Sequence, residues 1–175
     1  MIEIISEHSV DLSLLPNSAV ILDGGCRGFG FTDYFRALGH NVHAVDIDTL
    51  DRQDYIRCAI GLKDGKCSVN YTNDPQATNT KEGNDIDVYS IKSLHDSYDL
   101  IKLDIEGDEY EILKHSEHPM AKQLSIEFHA HCGKQTKEQL DELLTYLSTW
   151  YDISATWESR HGAGFNYWDV LFIAK

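Results

Sequence analysis

The amino-acid sequence predicts an α/β fold built on a mostly parallel β-sheet. Short apolar runs alternate with amphipathic helical patterns along the 175 residues, which is typical of strand–helix–strand repeats. The first strong run, AVILDGG at residues 19–25, leads into a glycine-rich loop and then a helix. The last two runs have no helical pattern between them, so we expect an antiparallel partner at the sheet edge. The length suits a single domain, residues 1–175, with a sizeable core.

Local patterns predict the individual elements. The first helix places Phe31, Tyr34, Phe35 and Leu38 on one face and ends at Gly39. The clearest helix begins with Thr136 and Gln139 at the spacing of a capping box and carries a stripe of leucines. The predicted helices are 31–39, 108–116 and 136–150. The predicted strands are 19–25, 41–48, 55–61, 67–72, 85–91, 98–107, 123–131, 151–157 and 167–175.

Two stretches are predicted to lie outside the sheet. Residues 1–18 form an N-terminal extension before the first predicted strand. Residues 72–85 are polar and form the best candidate for a mobile loop.

Composition narrows the class of protein. The chain has 29 acidic residues against 15 lysines and arginines, for a formal net charge of −14. Binding to a nucleic-acid backbone needs a basic face, so we expect no nucleic-acid partner. Cys26, Cys58, Cys67 and Cys132 show no CxxC pair, and neither a signal peptide nor a membrane-spanning run is evident. These features favour a cytoplasmic protein with reduced thiols and no membrane span.

The glycine loop, DGGCRGFG at residues 23–30, predicts a nucleoside-type ligand. Ligands of open parallel sheets bind beyond the carboxyl ends of the strands, and glycine lets the backbone approach them closely. Dinucleotides and S-adenosylmethionine both use this arrangement. No GxGxxG frame fits the loop, and the Asp23 carboxylate would repel a pyrophosphate but could pair with the amino group of a methionine-type ligand. Asp46, at the end of the second strand, is placed to bind ribose hydroxyls in either ligand class.

Three segments resemble the FkbM family of class I S-adenosylmethionine-dependent methyltransferases. The first, residues 20–48, is similar to the cofactor segment of many methyltransferases. The second, IKLDIEGDEYEIL at residues 101–113, is the more specific one, and the third is LSIEFHAH at residues 124–131. The likeness runs from about Val20 to Lys175.

The resemblance implies a Rossmann-like, seven-stranded, mostly parallel sheet with an antiparallel last strand, helices on both faces, and methyl transfer, usually to oxygen. It implies that the methionine part of the cofactor lies against Asp23, Gly25 and Gly28. It also implies that Asp46 binds the ribose and that Ala59 and Ile60 lie against the adenine. Asp104 and Glu106 would stand where the methyl group leaves, with Asp104 also counted among the cofactor-binding residues.

The sequence departs from the family in two places. About 19 residues precede the first predicted strand, which leaves little room for an N-terminal substrate cap. The segment VYSIKSLHD has Ser93 and Leu94 where the family usually has an acid after its leucine.

The EFHAH run supplies candidate catalytic groups. Glu127, His129 and His131 alternate, so a strand places them on one face, which comes near Asp104 and Glu106 if the two strands are neighbours. Histidine has the pKa for general-base work, and we expect His129 to be the base. The same groups offer a metal site of Asp104, Glu127 and His129, although we do not expect a functional metal. Arg160, His161 and Tyr167, near the last two strands, are candidates for substrate contact, and Trp150, Trp157 and Trp168 are expected in packing.

The sequence therefore predicts an S-adenosylmethionine-dependent methyltransferase that acts on a hydroxyl of a small molecule or sugar. Two alternatives stay open: a non-catalytic nucleoside-binding protein, and an NAD-dependent oxidoreductase, against which the missing GxGxxG frame argues. The acceptor and the oligomeric state are not fixed by these patterns.

Overall fold

The computed structural model describes residues 1–71, 78–129, 136–161 and 165–175, with the backbone alone between 158 and 167. The strands are β1 (Ile2–Ile5), β2 (His8–Asp11), β3 (Val20–Gly24), β4 (Asn41–Asp46), β5 (Ile56–Arg57), β6 (Ala59–Gly61), β7 (Gly65–Asn70), β8 (Asn79–Ser90), β9 (Tyr98–Leu103), β10 (Ala121–His129), β11 (Tyr151–His161) and β12 (Phe165–Ala174). The α-helices are α1 (Gly30–Ala37), α2 (Ile91–Leu94), α3 (Glu109–His115) and α4 (Lys137–Leu147).

The main sheet of the described chain has seven strands in the order β11-β12-β10-β9-β3-β4-β5. Strands β10, β9, β3, β4 and β5 are parallel, and β12 runs antiparallel to both of its neighbours, β10 and β11. This confirms the predicted Rossmann-like fold class with its antiparallel last strand. The chain leaves β3 toward β4 on one side and returns to β9 on the other, so the strand order reverses beside β3. Ligands of such sheets bind at this reversal, outside the carboxyl ends of the strands.

Apolar side chains of the central strands alternate between two cores. Leu22 of β3 and Ile101 of β9 pack in one core with residues of α3 and α4, including Leu113 and Leu143. Their chain neighbours Ile21 and Leu100 pack in the other core, where Phe31 and Phe35 of α1 meet Val10 of β2. Because successive side chains of a strand point to opposite faces, one apolar run serves both layers.

The predicted third strand, residues 55–61, is divided in the structure. Its first part is β5, which pairs with β4, and its second part is β6, which pairs with β8 in a separate three-stranded sheet. The Cys58 backbone N–H donates to the Asp46 carbonyl at 3.1 Å, which holds the junction against the end of β4. The sequence pattern alone could not show where one run changes partner.

The predicted polar loop, residues 72–85, is wrong over its described C-terminal part. Residues 79–85 belong to β8, which pairs antiparallel with β7. Polar residues form a strand here because the backbone bonds and side-chain pairs such as Asn70 Nδ2 to Asn79 Oδ1, at 2.9 Å, do not need an apolar face. Residues 72–77 lie outside the described residues.

The N-terminal extension contains a hairpin that the sequence analysis missed. Strands β1 and β2 pair antiparallel around a tight turn in which Ser6 and Glu7 both have positive φ, 46° and 74°. A 3-10 turn follows at Leu12–Leu14. The hairpin is fixed to β10 by two hydrogen bonds: the Asp11 N–H donates to Gln123 Oε1 at 2.9 Å, and Gln123 Nε2 donates to the Asp11 carbonyl at 3.0 Å.

Among the described residues, no helix has the length and apolar character that a membrane span requires. Cys26, Cys58 and Cys67 are buried free thiols, and Cys132 lies outside the described residues.

Candidate functional site

A cavity of about 810 Å³ opens at the carboxyl ends of β3, β4, β9 and β10. This volume lies within the range of about 300–1,000 Å³ that is usual for small-molecule sites. The N-terminal hairpin contributes Ser6, Glu7 and His8 to its wall. The residues that the sequence analysis selected also line it: Asp23, Gly25, Gly28, Asp46, Ala59, Ile60, Asp104, Glu106, Glu127 and His129.

The glycine loop approaches the end of β9 closely at Gly25. Gly25 has a φ of 78°, and a Cβ added there would lie 1.8 Å from the Asp104 carbonyl oxygen. Only glycine fits this position. By contrast, a Cβ added at Gly28 would have no atom within 4 Å. The loop is therefore tightly held at one glycine and open to the cavity at the other.

The negative charge of the Asp23 carboxylate is balanced by Lys102, to which the sequence analysis gave no role of its own. Lys102 Nζ lies 3.1 Å from Asp23 Oδ1 and donates to the Gly25 carbonyl at 2.7 Å. Thr32 Oγ1 donates to the other carboxylate oxygen of Asp23 at 2.5 Å. Burial alone would lower the pKa of Lys102, but the carboxylates of Asp23 and Asp104 outweigh it and hold that pKa above its usual range. The protein itself therefore supplies a cation for the Asp23 carboxylate, whereas the sequence analysis expected only the amino group of a ligand to pair with it.

Asp46 ends β4 at the cavity wall and is almost fully buried. Its Oδ1 accepts a hydrogen bond from the Asp48 N–H at 2.8 Å, which fixes the carboxylate. Burial raises the pKa of Asp46, and the nearby Asp48 charge adds to the effect. A carboxylate has lone pairs for further donors, so Asp46 can accept hydrogen bonds from a diol.

His129 lies at the end of β10 among four carboxylates. Its Nε2 is 3.1 Å from Glu127 Oε1, 3.4 Å from Asp104 Oδ1 and 3.7 Å from Glu106 Oε1. Its Nδ1 is 3.4 Å from Glu109 Oε1. The structure therefore brings Asp104, Glu106 and His129 together, as the sequence predicted, and adds Glu109.

The four carboxylates determine the protonation of this ring. Burial would lower the pKa of His129, but hydrogen bonding to Glu109 and Glu127 raises it well above its usual value. The raised pKa favours the protonated ring, which donates hydrogen bonds, over the neutral ring, which can accept a proton. A base role for His129 requires the ring to lose this proton first.

A backbone turn at Glu106 positions Glu106 and Glu109 beside His129. Glu106 has a φ of 63°, a left-handed conformation that is uncommon outside glycine. The Glu109 carboxylate holds this turn because the N–H groups of Ile105 and Gly107 donate to its two oxygens at 2.7 and 2.9 Å.

Three further residues line the cavity that sequence reasoning missed. His8, of β2, lies between Asp104 and Asp169: its Nε2 is 3.7 Å from Asp104 Oδ2, and its Nδ1 is 3.7 Å from Asp169 Oδ1. Burial raises the pKa of Asp169 to about 8, and the charges of Glu127 and Asp104 contribute. Trp157, predicted to be packed, is 54% exposed and reaches the cavity wall. The strand register could have placed Asp169 at the cavity, because this residue lies opposite both Glu127 and Trp157 on the neighbouring strands.

Some predicted contacts fall where no side chain is described. His131 lies outside the described residues, and so do the side chains of Arg160, His161 and Tyr167. Their proposed contact with substrate stays a prediction.

The cavity fits an adenosyl-methionine cofactor. The Gly28 face offers open space for a ligand against the backbone, and the fixed Asp46 carboxylate lines the same cavity. Ala59 and Ile60 supply a buried apolar surface of the kind that an adenine ring needs.

Comparisons with known proteins agree with this architecture. The family model described as Methyltransferase FkbM domain matches residues 15–166. No curated protein sequence matches the chain.

Solved structures that resemble this chain include two methyltransferases and one candidate methyltransferase. An N1-methyltransferase for 1,6-didemethyltoxoflavin from Burkholderia thailandensis is 17% identical, with a TM-score of 0.50 over 90% of this chain and 72% of that chain. A TehB-like S-adenosylmethionine-dependent methyltransferase from Corynebacterium glutamicum is 16% identical, with a TM-score of 0.47 over 93% and 84%. Sp1610 from Streptococcus pneumoniae, a candidate tRNA (m1A22) methyltransferase, is 13% identical, with a TM-score of 0.47 over 93% and 69%. At these identities the likeness concerns the fold alone.

Proposed function

This chain belongs to the FkbM methyltransferase domain family, and from that premise we propose that it transfers a methyl group from S-adenosylmethionine to a hydroxyl oxygen of a small molecule or sugar. The family match confirms the resemblance that the three sequence segments indicated. The oxygen acceptor and its class are the proposal, since the family match does not specify them.

One observation carries the proposal. A single cavity holds both the groups suited to an adenosyl-methionine cofactor and a cluster of acid–base groups. Gly25 and Asp104 are in direct backbone proximity, so the cofactor loop and the cluster adjoin each other. A methyl donor on the loop would therefore face Asp104 and its neighbours.

We assign the cofactor to the side of the cavity that is lined by the glycine loop and Asp46. The open backbone at Gly28 and the turn at Gly25 receive the methionine part, beside the Asp23–Lys102 pair. Asp46 accepts hydrogen bonds from the ribose hydroxyls, because its carboxylate is fixed and retains free lone pairs. Ala59 and Ile60 pack against the adenine.

The acceptor side positions the hydroxyl and receives its proton. The bound sulfonium supplies an already activated methyl group, so orientation and exclusion of water account for much of the catalysis. The Asp104 and Glu106 carboxylates lie at the cavity wall and accept a hydrogen bond from the acceptor hydroxyl. His129 faces both carboxylates and completes the catalytic group as the proton acceptor once its ring is neutral.

Charge favours a small acceptor over a nucleic acid. The net charge is −14, and the described cavity wall carries the carboxylates of Asp104, Glu106 and Glu127. A polyanion would meet repulsion at this surface. A neutral or cationic small molecule would not.

Methyl transfer from S-adenosylmethionine with a deuterated methyl group tests the proposal. Purified protein is incubated with a panel of sugars, phenols and small alcohols, and products are analysed by mass spectrometry. We expect a product that carries the labelled methyl on oxygen and that disappears with Asp46→Ala. Cofactor binding without product from any acceptor would favour the non-catalytic alternative, and product from RNA alone would overturn the acceptor class.

A further inference from the structure

A second group of side chains lies beside the catalytic cluster and shares Glu127 with it. His8, Glu127 and Asp169 offer one nitrogen and two carboxylate ligand atoms that all lie within 4.8 Å of one another. They come from three different strands, β2, β10 and β12. All three line the cavity, so a small ligand can reach them from solvent.

The fold places these three groups together firmly. Glu127 and Asp169 are direct partners in the antiparallel pairing of β10 with β12. The two hydrogen bonds between Asp11 and Gln123 fix the hairpin over β10, so that His8 lies beside the pair. No loop movement is needed to assemble the group.

Two members of the group, His8 and Asp169, are buried and have polar atoms without a hydrogen-bond partner among the described residues. Asp169 is 4% exposed and His8 is 3% exposed. Neither oxygen of the Asp169 carboxylate, nor Nδ1 of His8, has a hydrogen-bond partner in the part of the chain that the structure describes. Buried polar atoms are almost always paired, and leaving a carboxylate unpaired costs free energy. These atoms therefore point to a ligand.

We propose that His8, Glu127 and Asp169 form a binding site for one divalent transition-metal ion. One imidazole nitrogen with two carboxylates suits Mn²⁺, Fe²⁺ or Zn²⁺ better than Mg²⁺ or Ca²⁺, which prefer oxygen alone. His8 Nδ1 faces Asp169 and supplies the nitrogen ligand. Its Nε2 faces Asp104, the arrangement in which a carboxylate orients a metal-binding histidine.

This site differs from the Asp104, Glu127 and His129 group that the sequence offered. Both ring nitrogens of His129 face carboxylates, Glu109 on one side and Glu127, Asp104 and Glu106 on the other. Its ring is therefore already engaged, whereas the polar atoms of His8 and Asp169 point at each other across 3.7 Å. His8 and Asp169 also lie outside residues 15–166, the part of the chain that matches the family model.

Metal titration of the full chain tests the site directly. Protein treated with EDTA and dialysed is titrated with MnCl₂ and, separately, with ZnCl₂, by calorimetry and by the loss of the free Mn²⁺ electron paramagnetic resonance signal. We expect one equivalent of tightly bound metal per chain and a higher melting temperature in its presence. Mg²⁺ at the same concentration should bind much more weakly.

Single substitutions show which residues bind the metal ion. Asp169→Asn keeps the shape of the side chain and should weaken Mn²⁺ binding by about 100-fold or more, and His8→Gln should do the same. His115→Gln, a half-exposed histidine on α3, is the matched control and should bind like the unchanged protein. If His8→Gln does not fold, Asp169→Asn alone decides, because it keeps the size and shape of the buried side chain and should fold.

The possible results distinguish this metal site from the cluster around His129. Binding that survives Asp169→Asn but is lost in His129→Gln would overturn it in favour of the other cluster. Absence of Mn²⁺ and Zn²⁺ binding by the unchanged protein would also overturn it. Because the readout is metal binding and not methyl transfer, the result stands independently of the proposed function.

Discussion

Lys102 and Asp23 form a buried ion pair at the centre of the sheet, with Nζ 3.1 Å from Oδ1. They are register partners on β9 and β3, the two strands beside which the strand order reverses. The pair joins the most specific family segment to the cofactor loop, since Lys102 also donates to the Gly25 carbonyl. The lysine of IKLDIEG is therefore a structural partner of the loop.

Loss of Lys102 should destabilise the fold. Lys102→Met leaves the Asp23 charge buried with Thr32 as its remaining described side-chain donor, and breaking a buried pair in this way costs about 3–5 kcal/mol. Urea unfolding followed by circular dichroism measures the change. The double variant Lys102→Met/Asp23→Asn should recover much of the loss, and a double variant as unstable as the single one would contradict the pair's role.

The two cavity glycines should respond differently to alanine. Gly25→Ala places a methyl group 1.8 Å from the rigid Asp104 carbonyl at a φ of 78°, so we expect several kcal/mol of destabilisation or failure to fold. Gly28→Ala meets no atom within 4 Å and should fold normally. Its methyl group enters the cavity, so the affinity for S-adenosylhomocysteine should fall. Equal melting temperatures for the two variants would show that the close approach at Gly25 is wrong.

Cofactor affinity should fall with acidity because of Asp46. The ionised carboxylate accepts the ribose hydrogen bonds, and burial raises its pKa above the ordinary value of 3.8. Affinity is thus complete at neutral pH and is lost as the pH falls through this raised pKa, earlier than for an exposed aspartate. Calorimetry with S-adenosylhomocysteine from pH 7.5 to 5 measures it. Asp46→Asn is the control, and an identical pH profile in that variant would assign the effect to another group.

Removal of His129 should affect turnover more than cofactor binding. His129→Gln should slow methyl transfer by about 100-fold or more if the ring takes the acceptor proton, with S-adenosylmethionine affinity nearly unchanged. Partial rescue of His129→Ala by added imidazole would separate a proton-transfer role from a purely structural one. Turnover equal to that of the unchanged protein would remove His129 from the mechanism.

Much of the architecture could be predicted because buried parallel strands have strong local signals. The runs around Ile21, Leu22, Leu100 and Ile101 are apolar on both faces, and α4 carries the capping box and leucine stripe that the sequence indicated. The N-terminal hairpin was harder to predict from the sequence. The hairpin β1–β2 turns on Ser6 and Glu7, which are not the glycine or asparagine that such a turn usually signals.

The candidate site was predictable where it follows a strand end and not where it depends on pairing. Asp46 is the last residue of β4 and Asp104 directly follows β9, so chain order alone puts them at one edge. His8 and Asp169 reach the cavity through the hairpin and through the register of β12 on β10, which no local pattern encodes. For the same reason, the ion pair of Asp23 with Lys102 needed the β3–β9 register.

Calorimetric titration with S-adenosylmethionine, S-adenosylhomocysteine and NAD tests the central claim most directly. The account predicts that both adenosyl ligands bind one per chain, that NAD does not, and that Asp46→Ala weakens both by about 10- to 100-fold because a charged hydrogen-bond partner is lost. Binding of NAD alone, or of none of the three ligands, would contradict the assignment of the glycine loop and Asp46 to this cofactor.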